Sequence, residues 1–340
     1  MMKKVSLKDI ATAAGVSTAL VSYVLTNKEK EARIGEEIAK KIREIARKLN
    51  YQPNHIARSL KSGRSFTIGL IVADISNPFF ANIARTIEDE AKRNNYTVIF
   101  GSSDENVDKS GDLINVLINR QVDGLIITPA EGSEEQIRQL QAQKVPFVLI
   151  DRFFPDIEAS HIAVNNFESA YQAVSHLIKT GRKRIGMIGY KTTLHHISER
   201  KRGYKEALQD HQLPGGTTLL KSARYSHLKE DIKVSIDQLL SGRQPADAVF
   251  FATNSIAMEG LKYINSLGIR IPDQLAVITF DEGEALDLFY SPVTFVRQPI
   301  LEIGREAVRV LLEEIKDSKK EIEHICIDTT LVVRKSCGQR

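Results

Sequence analysis

From residue 66 onward, short apolar runs alternate with amphipathic helical stretches, and this alternation constrains the fold more than any other feature. The apolar runs are continuous, as in strands that are buried on both faces of a parallel sheet. The predicted strands are 67–73, 97–101, 124–128, 147–150, 161–164, 184–189, 217–221, 248–252, 276–280 and 294–296. The predicted helices are 80–94, 109–119, 134–143, 167–179, 199–210, 228–240 and 255–267. Two such cycles predict an α/β body made of two similar doubly wound, parallel-sheet lobes.

The first 65 residues differ from the rest of the chain in charge. They hold 14 Lys and Arg against 6 Asp and Glu, a net charge of +8. The remaining residues hold 33 against 37, a net charge of −4. A small basic head on a mildly acidic body is typical of a nucleic-acid-binding module joined to a second unit. Charge alone leaves RNA, DNA and acidic proteins open as partners of the head.

Length and composition exclude several classes of protein. A chain of 340 residues with 42% hydrophobic and 26% charged residues has the balance of a soluble protein with two or three domains. No run approaches the roughly 18–20 apolar residues of a membrane span, and the N-terminus is charged where a signal peptide is apolar. The two cysteines, Cys326 and Cys337, are too few to stabilise a chain of this size by disulfide bonds. These features predict a cytoplasmic protein with no membrane partner.

Two short helices joined by a tight turn are predicted in the basic head. Ser6 and Ser17 are each placed to cap a helix, the first over 7–14 and the second over 18–25, and Gly15 ends the first helix. A third helix carries an apolar stripe formed by Ile38, Ile42, Ile45, Ala46 and Leu49. The pattern predicts an all-α helix-turn-helix head. A three-helix bundle with a solvated basic face would fit the same pattern.

The sequence of the head carries a resemblance. The string LKDIATAAGVSTALVSYVL at 7–25 resembles the DNA-binding head of the lactose-repressor (LacI/GalR) family of bacterial transcription regulators. The resemblance implies that 1–52 is the DNA-binding domain and that 18–25 is a recognition helix in the major groove. The implied DNA-contacting residues are Leu7, Ser17, Thr18, Ala19, Ser22 and Tyr23. Because Ala19 offers only a methyl group and Tyr23 one hydroxyl or a ring face, the operator sequence stays open.

The string LNYQPNHIARSLK at 49–61 resembles the hinge of the same family. Pro53 ends the third helix, and Asn54 can cap a short helix that is unstable alone in water. The resemblance implies a hinge and linker over 53–65, with Leu60 as an apolar wedge in the minor groove. The implied hinge contacts to DNA are Asn54, Ala57, Arg58, Leu60 and Lys61. Packing of Leu60 into the body is the alternative interpretation.

Polar, charged and aromatic side chains follow the predicted strands of the body, where parallel sheets bind their ligands. These residues are Asp74, Asn77, Phe79, Phe80, Asp151, Arg152, Thr253, Asn254 and Asp281, with Arg200 near the start of a helix. Carboxylates accept hydrogen bonds from hydroxyls, Arg and Asn donate them, and rings cover the C–H faces of a sugar. Each residue alone could be a helix cap, a core residue or a surface ion pair. Their grouping at strand ends favours a site for a polyhydroxylated ligand.

The body resembles the periplasmic-binding-protein (type I) fold that the same family uses for sugar sensing. The matching strings are NPFF at 77–80, DR at 151–152, NN at 165–166, RKRGY at 200–204, FD at 280–281 and QP at 298–299. The implied effector-binding residues are Asn77, Phe79, Phe80, Asp151, Arg152, Arg200, Asn254, Asp281 and Gln298. The implied lobes are 66–163 with 295–326, and 164–294 with 327–340. The set favours a sugar over a purine, but Ser255, where the family usually has Asp, leaves the sugar open.

The resemblance over the whole chain implies a sequence-specific transcriptional regulator, expected to be a repressor. A homodimer would bind a pseudo-palindromic operator, and a sugar-like effector between the lobes would control operator affinity through hinge closure. No C-terminal leucine heptads follow the last strand, which favours a dimer over a zipper-linked tetramer. We expect no catalytic residues, no metal site and no cofactor.

Two other classes of protein, an enzyme and a sugar-transport binding protein, fit the sequence less well. An enzyme would need a reaction motif, but the sequence has no Walker loop, no GxSxG, no HExxH and no complete GxGxxG. The pair His195–His196 has no companion residues at metal-ligand spacing. A sugar-transport binding protein would fit the body but would leave the basic head and the charged N-terminus unexplained.

Overall fold

The computed structural model describes residues 5–51, 63–214 and 218–338, and the chain divides into two compact units between Ser65 and Phe66. The first unit is the helical head and the second is the α/β body. The hinge residues implied by the sequence, Asn54, Ala57, Arg58, Leu60 and Lys61, lie outside the described residues. No helix in the described part of the chain is long and apolar enough to cross a membrane.

The head contains the three predicted helices. They are α1 (Leu7–Ala14), α2 (Thr18–Leu25) and α3 (Glu36–Lys48). Ser6 and Asp9 form a reciprocal capping box at the start of α1, which satisfies backbone donors that have no partner within the helix. Gly15 ends α1 in the left-handed region at φ 72°, and the Ser17 hydroxyl accepts from the backbone N–H of Leu20 at the start of α2. The helix-turn-helix prediction is confirmed.

The apolar stripe of α3 is narrower than predicted. Ala39, Ile42 and Ala46 are buried against α1 and α2, but Ile38 is 44% exposed and Leu49 is 37% exposed. Two eight-residue helices cover only part of the surface of a 13-residue helix, so the outer members of the stripe stay in solvent. The core of the head is therefore small: its buried residues are Ile10, Ala11, Ala14, Val21, Val24, Ala39, Ile42 and Ala46.

The first lobe is built on a six-stranded sheet whose strands are all parallel. Its strands are β1 (Thr67–Val72), β2 (Thr97–Ser102), β3 (Gly124–Ile127), β4 (Phe147–Ile150), β5 (His161–Val164) and β11 (His324–Ile327), in the order β2-β1-β3-β4-β5-β11. Its helices are α4 (Pro78–Arg93), α5 (Val107–Asn119), α6 (Glu134–Ala142) and α12 (Ile300–Lys316). Ile68 and Leu70 face the helix pair α4 and α12, whereas Ile71 faces α5 and α6. Helices thus cover both faces, which explains the continuous apolar strands.

The second lobe repeats this plan. Its strands are β6 (Ile185–Tyr190), β7 (Leu220–Ala223), β8 (Ala248–Phe251), β9 (Ala276–Phe280), β10 (Thr294–Arg297) and β12 (Thr330–Val332), in the order β7-β6-β8-β9-β10-β12. Its helices are α7 (Asn166–Lys179), α8 (His195–Asp210), α9 (Leu228–Leu240), α10 (Asn254–Ser266) and α11 (Glu284–Leu288). Only β12 runs antiparallel to its neighbour. At the contact of α7 with α8, a Cβ on Gly203 would lie 2.2 Å from the carbonyl oxygen of Phe167, so this close packing requires glycine.

The chain passes between the lobes three times, after β5, after β10 and after β11. The boundaries implied by the resemblance at 294/295 and 326/327 each fall inside a strand of one sheet, because β10 pairs with β9 and β12 of the second lobe and all of β11 pairs with β5 of the first. The passages therefore follow Arg297 and Ile327. Helices α11 and α12 and strands β11 and β12 lie in segments for which no element was predicted. The predicted two-lobed, parallel-sheet body is confirmed.

We predict that Ile42→Ala destabilises the head by about 2–5 kcal/mol, because it empties the centre of a small core. Ile42 is completely buried. Amide hydrogen exchange of residues 7–48 in the full-length protein, followed by mass spectrometry, measures the local unfolding free energy. The matched control is Ile38→Ala, one turn away on the exposed face of α3, which should change that free energy by no more than about 0.5 kcal/mol. Equal effects of the two substitutions would contradict the packing described here.

Candidate functional site

One pocket lies between the two lobes at the carboxyl ends of their strands, with about 440 Å³ of empty space that is partly open to solvent. The first lobe lines it with Asp74, Asn77, Phe79, Phe80, Glu105, Asp151 and Arg152. The second lobe and the chain that follows it line the pocket with Tyr190, His196, Arg200, Tyr225, Thr253, Ser255, Asp281 and Gln298. Because every strand but β12 is parallel to its neighbours, the polar residues that follow the strands converge here, as expected for this class of sheet.

Eight of the nine sequence-predicted effector residues line this pocket, and Asn254 does not. Asn254 is the first residue of α10 and is buried, with its Nδ2 donating to the carbonyl oxygen of Glu282 at 3.4 Å. Its neighbours Thr253 and Ser255 face the pocket instead. Arg200 lies in the second turn of α8 rather than opening it, because the helix begins at His195.

The two carboxylates Asp151 and Asp281 occupy corresponding places in the two lobes. Asp151 directly follows β4 and Asp281 directly follows β9, the fourth strand of each lobe in chain order. Both have left-handed backbone conformations, with φ of 65° and 71°, which non-glycine residues adopt infrequently and Asp tolerates better than most. Such strain is held by the surrounding structure and is common at binding sites.

In the first lobe, a buried cluster of charges surrounds Asp151. Arg152 donates two hydrogen bonds to Glu105, from Nη1 and Nη2, each 2.6 Å long, and its Nε lies 3.4 Å from Asp151 Oδ2. Burial raises the pKa of Asp151 to about 6, although the charges of Arg152 and Arg200 act to lower it. Burial alone would lower the pKa of Arg152, but the charge and hydrogen bonds of Glu105 outweigh it and the net shift is upward. Arg152 is therefore a fixed cation.

In the second lobe, Arg200 is held by contacts on several sides. Its Nε donates to Asn166 Oδ1 at 2.8 Å, and its Nη1 donates to the carbonyl oxygen of Ala252 at 2.6 Å. The guanidinium carbon lies 3.3 Å from the centre of the Phe280 ring, a cation–π contact. Burial lowers the pKa of Arg200 to about 10, so it stays charged at neutral pH.

Asp281, Gln298 and His196 complete the polar wall. Gln298 Nε2 donates to Asp281 Oδ1 at 2.6 Å, and burial raises the pKa of Asp281 despite the nearby charge of Arg200. Burial, followed by the charges of Arg152 and Arg200, lowers the pKa of His196 well below its usual value, so its imidazole is neutral. Gln298 Oε1 and His196 Nδ1 are buried without a hydrogen-bond partner among the described residues. Such atoms favour a polar ligand in the pocket.

Aromatic rings supply the apolar part of the pocket. Phe79 and Phe80 pack edge to face with ring centres 5.0 Å apart, and the guanidinium of Arg152 lies 5.7 Å from the Phe80 ring centre. From the second lobe, the rings of Tyr190 and Tyr225 lie 5.9 Å apart. Rings with neighbouring hydrogen-bonding groups match the alternating C–H and hydroxyl surfaces of a sugar.

Polar contacts join the two lobes around the pocket. The Tyr225 hydroxyl donates to Asp74 Oδ2 at 2.8 Å, and Asn77 Nδ2 donates to Ser255 Oγ at 3.4 Å. At a third point, the backbone N–H and the hydroxyl of Thr193 both donate to Glu131 Oε1 at 2.7 Å. These hydrogen bonds hold the lobes together in the form that the structure describes.

Sequence reasoning missed several lining residues. Tyr190 is the last residue of β6 and directly follows the strand predicted at 184–189, so the strand-end rule could have found it. Tyr225 follows β7, which was predicted at 217–221 but lies at Leu220–Ala223. Glu105 and His196 belong to none of the matching strings, and only the folded contacts with Arg152 and Arg200 reveal them.

In the head, the predicted recognition helix presents an exposed face. Thr18, Ala19 and Tyr23 are exposed, and Tyr23 is 46% accessible to solvent. Ser17 is exposed with its hydroxyl engaged in capping α2, and Ser22 is half-buried. Leu7 packs partly against the core of the head. This face of α2 is therefore accessible to a partner of the head.

Comparisons with known proteins find relatives of both the head and the body. The sequence profile described as bacterial regulatory proteins, lacI family, matches residues 6–54, and the profile of a periplasmic binding protein-like domain matches residues 174–337. The chain is 33% identical over 336 residues to the HTH-type transcriptional regulator RegA of Clostridium acetobutylicum, covering 98% of this chain and 99% of that protein. It is 30% identical over 331 residues to the ribose operon repressor of Haemophilus influenzae, covering 97% and 98%.

A solved structure has the same fold over nearly the whole chain. The lac repressor dimer bound to operator and the anti-inducer ONPF matches with a TM-score of 0.84 and 20% identity, covering 98% of this chain and 99% of that one. The predicted family and fold class are confirmed, and the alternatives of an enzyme and of a transport protein are set aside. The chain belongs to the lacI family of bacterial regulatory proteins and is a DNA-binding transcriptional regulator.

Proposed function

We propose that this regulator is a repressor that binds a two-fold operator as a homodimer and that a sugar between its lobes controls its affinity for DNA. The observation that carries the proposal is the convergence of strand-end residues from both lobes on one pocket. A ligand that touches both lobes stabilises one relative arrangement of the lobes over others. Operator affinity then changes through this coupling, and operator binding changes sugar affinity by the same factor.

The pocket supports a sugar as the ligand. It combines buried carboxylates, two guanidiniums and four aromatic rings, and four buried polar atoms of its lining residues lack hydrogen-bond partners among the described residues. Carboxylates and guanidiniums recognise hydroxyl groups, and rings pack on C–H faces. One relative, 30% identical over nearly its whole length, is named a ribose operon repressor, which favours the same class of effector.

An exposed apolar patch supports the dimer. Ile99 and Phe100 lie on β2 at the edge of the first sheet, and Val116 lies on the neighbouring α5. Phe100 is 60% exposed and Val116 is 49% exposed. Edge strands with exposed apolar residues are usually covered in the working assembly. Two copies joined in this way would present two heads to two half-sites of DNA.

DNA selected from a random library by the full-length protein provides the test of the whole proposal. The affinity of the protein for that DNA is then measured by fluorescence anisotropy with and without each member of a sugar panel. Thermal shift identifies which sugars bind, because a ligand that binds only the folded state raises the melting temperature. Operator affinity that responds to no sugar that binds would contradict the coupling. Monomeric protein on DNA would contradict the dimer.

We predict that Tyr23→Ala lowers affinity for the selected DNA at least about tenfold and leaves affinity for unrelated DNA nearly unchanged. Tyr23 is exposed on the proposed reading face of α2, and base contacts carry specificity whereas phosphate contacts do not. Anisotropy titrations at one fixed salt concentration measure both affinities. The control is Ile38→Ala, an exposed apolar residue on α3, which should change neither. An equal loss on both DNAs would remove Tyr23 from sequence reading.

For the pocket, Asp281→Asn should weaken binding of the responsive sugar about 10–100-fold, because a charge-assisted hydrogen bond to a sugar hydroxyl is lost. The amide can still accept from Gln298, so the fold should be kept. Isothermal titration calorimetry measures the affinity. The matched control is Asp237→Asn on α9, whose carboxylate accepts from Tyr263 at the surface and should not affect binding. Unchanged affinity in Asp281→Asn would contradict the placement of the sugar.

Sugar affinity should fall about tenfold as the pH is lowered from 7.5 to 5. The pKa of Asp151 is raised to about 6, and a sugar hydroxyl donates a stronger hydrogen bond to the ionised carboxylate than to the protonated acid, so binding is tightest above that pKa and weakens below it. Asp281, whose pKa is also raised, acts in the same direction. Calorimetry across this pH range measures the dependence, and Asp151→Asn should flatten it. Affinity that rises toward pH 5 would show that the protonated acid is the binding form.

A further inference from the structure

We infer that the ligand of this pocket is an uncharged saccharide, and that phosphorylated sugars and other anions are excluded. The inference rests on the proposed function and adds the chemical class of the effector to it. Three features of the described pocket support this inference. They are its net charge, the partners of its two guanidiniums, and the side-chain oxygens that already accept hydrogen bonds at two helix N-termini.

The first feature is the balance of charge. Four carboxylates, Asp74, Glu105, Asp151 and Asp281, line the pocket against two guanidiniums, those of Arg152 and Arg200. The neighbouring His196 is neutral. The lining carries a net charge of −2 if all four acids are ionised and of zero if Asp151 and Asp281 are both protonated. Neither case gives the lining a net positive charge, so the pocket has no excess of positive charge to attract a phosphate dianion.

The second feature is that both guanidiniums already have partners. The planar fork of Arg152, which could bind a phosphate bidentately, is taken up by both oxygens of Glu105. Arg200 donates from Nε to Asn166 and from Nη1 to the carbonyl oxygen of Ala252. A phosphate group that bound the fork of Arg152 bidentately would have to displace Glu105 and leave a partly buried carboxylate without its cation, which is unfavourable.

The third feature is the hydrogen bonding at the N-termini of α4 and α10. The capping residues of these helices, Asn77 and Thr253, line the pocket, and helix N-termini are common binding sites for phosphate. At the start of α4, Pro78 has no N–H and the N–H of Phe79 donates to Asn77 Oδ1 at 3.1 Å. At the start of α10, Asp281 accepts from the backbone N–H of Asn254, and the Thr253 hydroxyl accepts from the N–H of Ile256. At both helix ends, the protein's own oxygens therefore already accept from the N–H groups named here.

The groups that remain match sugar hydroxyls, which both donate and accept hydrogen bonds. Gln298 Oε1 is a buried acceptor without a partner among the described residues, and Asp151 and Asp281 retain oxygens that accept further hydrogen bonds. Arg152 Nε and the Tyr190 hydroxyl are buried donors without a hydrogen-bond partner among the same residues. A neutral sugar can satisfy both kinds of group and brings no charge into a buried site, whereas a phosphate dianion adds only acceptors and negative charge beside these carboxylates.

Matched pairs of ligands test the inference by thermal shift and calorimetry on the full-length protein. The pairs are D-ribose and D-ribose 5-phosphate, D-glucose and D-glucose 6-phosphate, and D-galactose and D-galactose 6-phosphate, extended with cellobiose and lactose as neutral disaccharides. We expect any sugar that binds to do so at least tenfold more tightly than its phosphate ester. A phosphate ester that binds as tightly as its parent sugar, or more tightly, would overturn the inference. Binding of none of these saccharides, with or without phosphate, would instead contradict the proposed function and the inference with it.

The variant Glu105→Gln tests the physical cause. It removes one negative charge and frees the fork of Arg152, so it should strengthen phosphate-ester binding at least tenfold relative to the parent sugar. The matched control is Glu131→Gln, which removes a negative charge outside the pocket lining while its amide oxygen can still accept from Thr193, and which should change both members of a pair equally. The melting temperature of each variant without ligand checks folding. An unchanged preference in folded Glu105→Gln would overturn the role of the Arg152–Glu105 pair.

Discussion

Parallel strand pairing is the constraint on which the rest of the body depends. A parallel sheet sends every strand toward the same edge, so the residues that follow β1, β2 and β4 meet at one edge of the first lobe. The second lobe repeats the same order of strands, and its corresponding residues meet at its own edge. Facing these two edges toward each other creates a pocket that neither lobe has alone. The chemistry of the pocket then follows from the few residues after each strand, whereas the strands themselves are nearly all apolar.

Burial of charge at those edges explains the detailed geometry. Arg152 and Arg200 are both almost inaccessible to solvent, and a buried cation is tolerated only with close partners. Glu105 supplies the partner for Arg152, and a carbonyl, an amide and the Phe280 ring supply those of Arg200. These contacts keep the side chains in fixed positions before a ligand arrives. A preorganised site of this kind loses little entropy on binding, which is why fixed polar groups give selectivity.

The sequence predicted the order of elements and most of the pocket because both depend on local patterns. Apolar runs mark strands, Ser6 and Ser17 mark helix starts, and polar residues after strands mark the binding edge. Three kinds of feature escaped prediction, each for a physical reason. The exposure of Ile38 depends on the lengths of other helices, the absence of Asn254 from the pocket lining depends on its contact with Glu282, and the pairing of Glu105 with Arg152 joins residues 47 positions apart. Periodicity and strand order contain none of these long-range contacts.

The inter-lobe hydrogen bonds make ligand control of the body physically reasonable. The contacts Tyr225–Asp74, Asn77–Ser255 and Thr193–Glu131 are polar and two of them are made by residues that line the pocket. Each such bond is worth only about 1 kcal/mol, because water replaces it when the lobes separate. A few bonds of this size leave the two arrangements of the lobes close in free energy. Under the proposed function, a sugar that adds several hydrogen bonds to both lobes would shift the equilibrium by the 10²- to 10⁴-fold that a regulatory switch needs, roughly 3–5.5 kcal/mol.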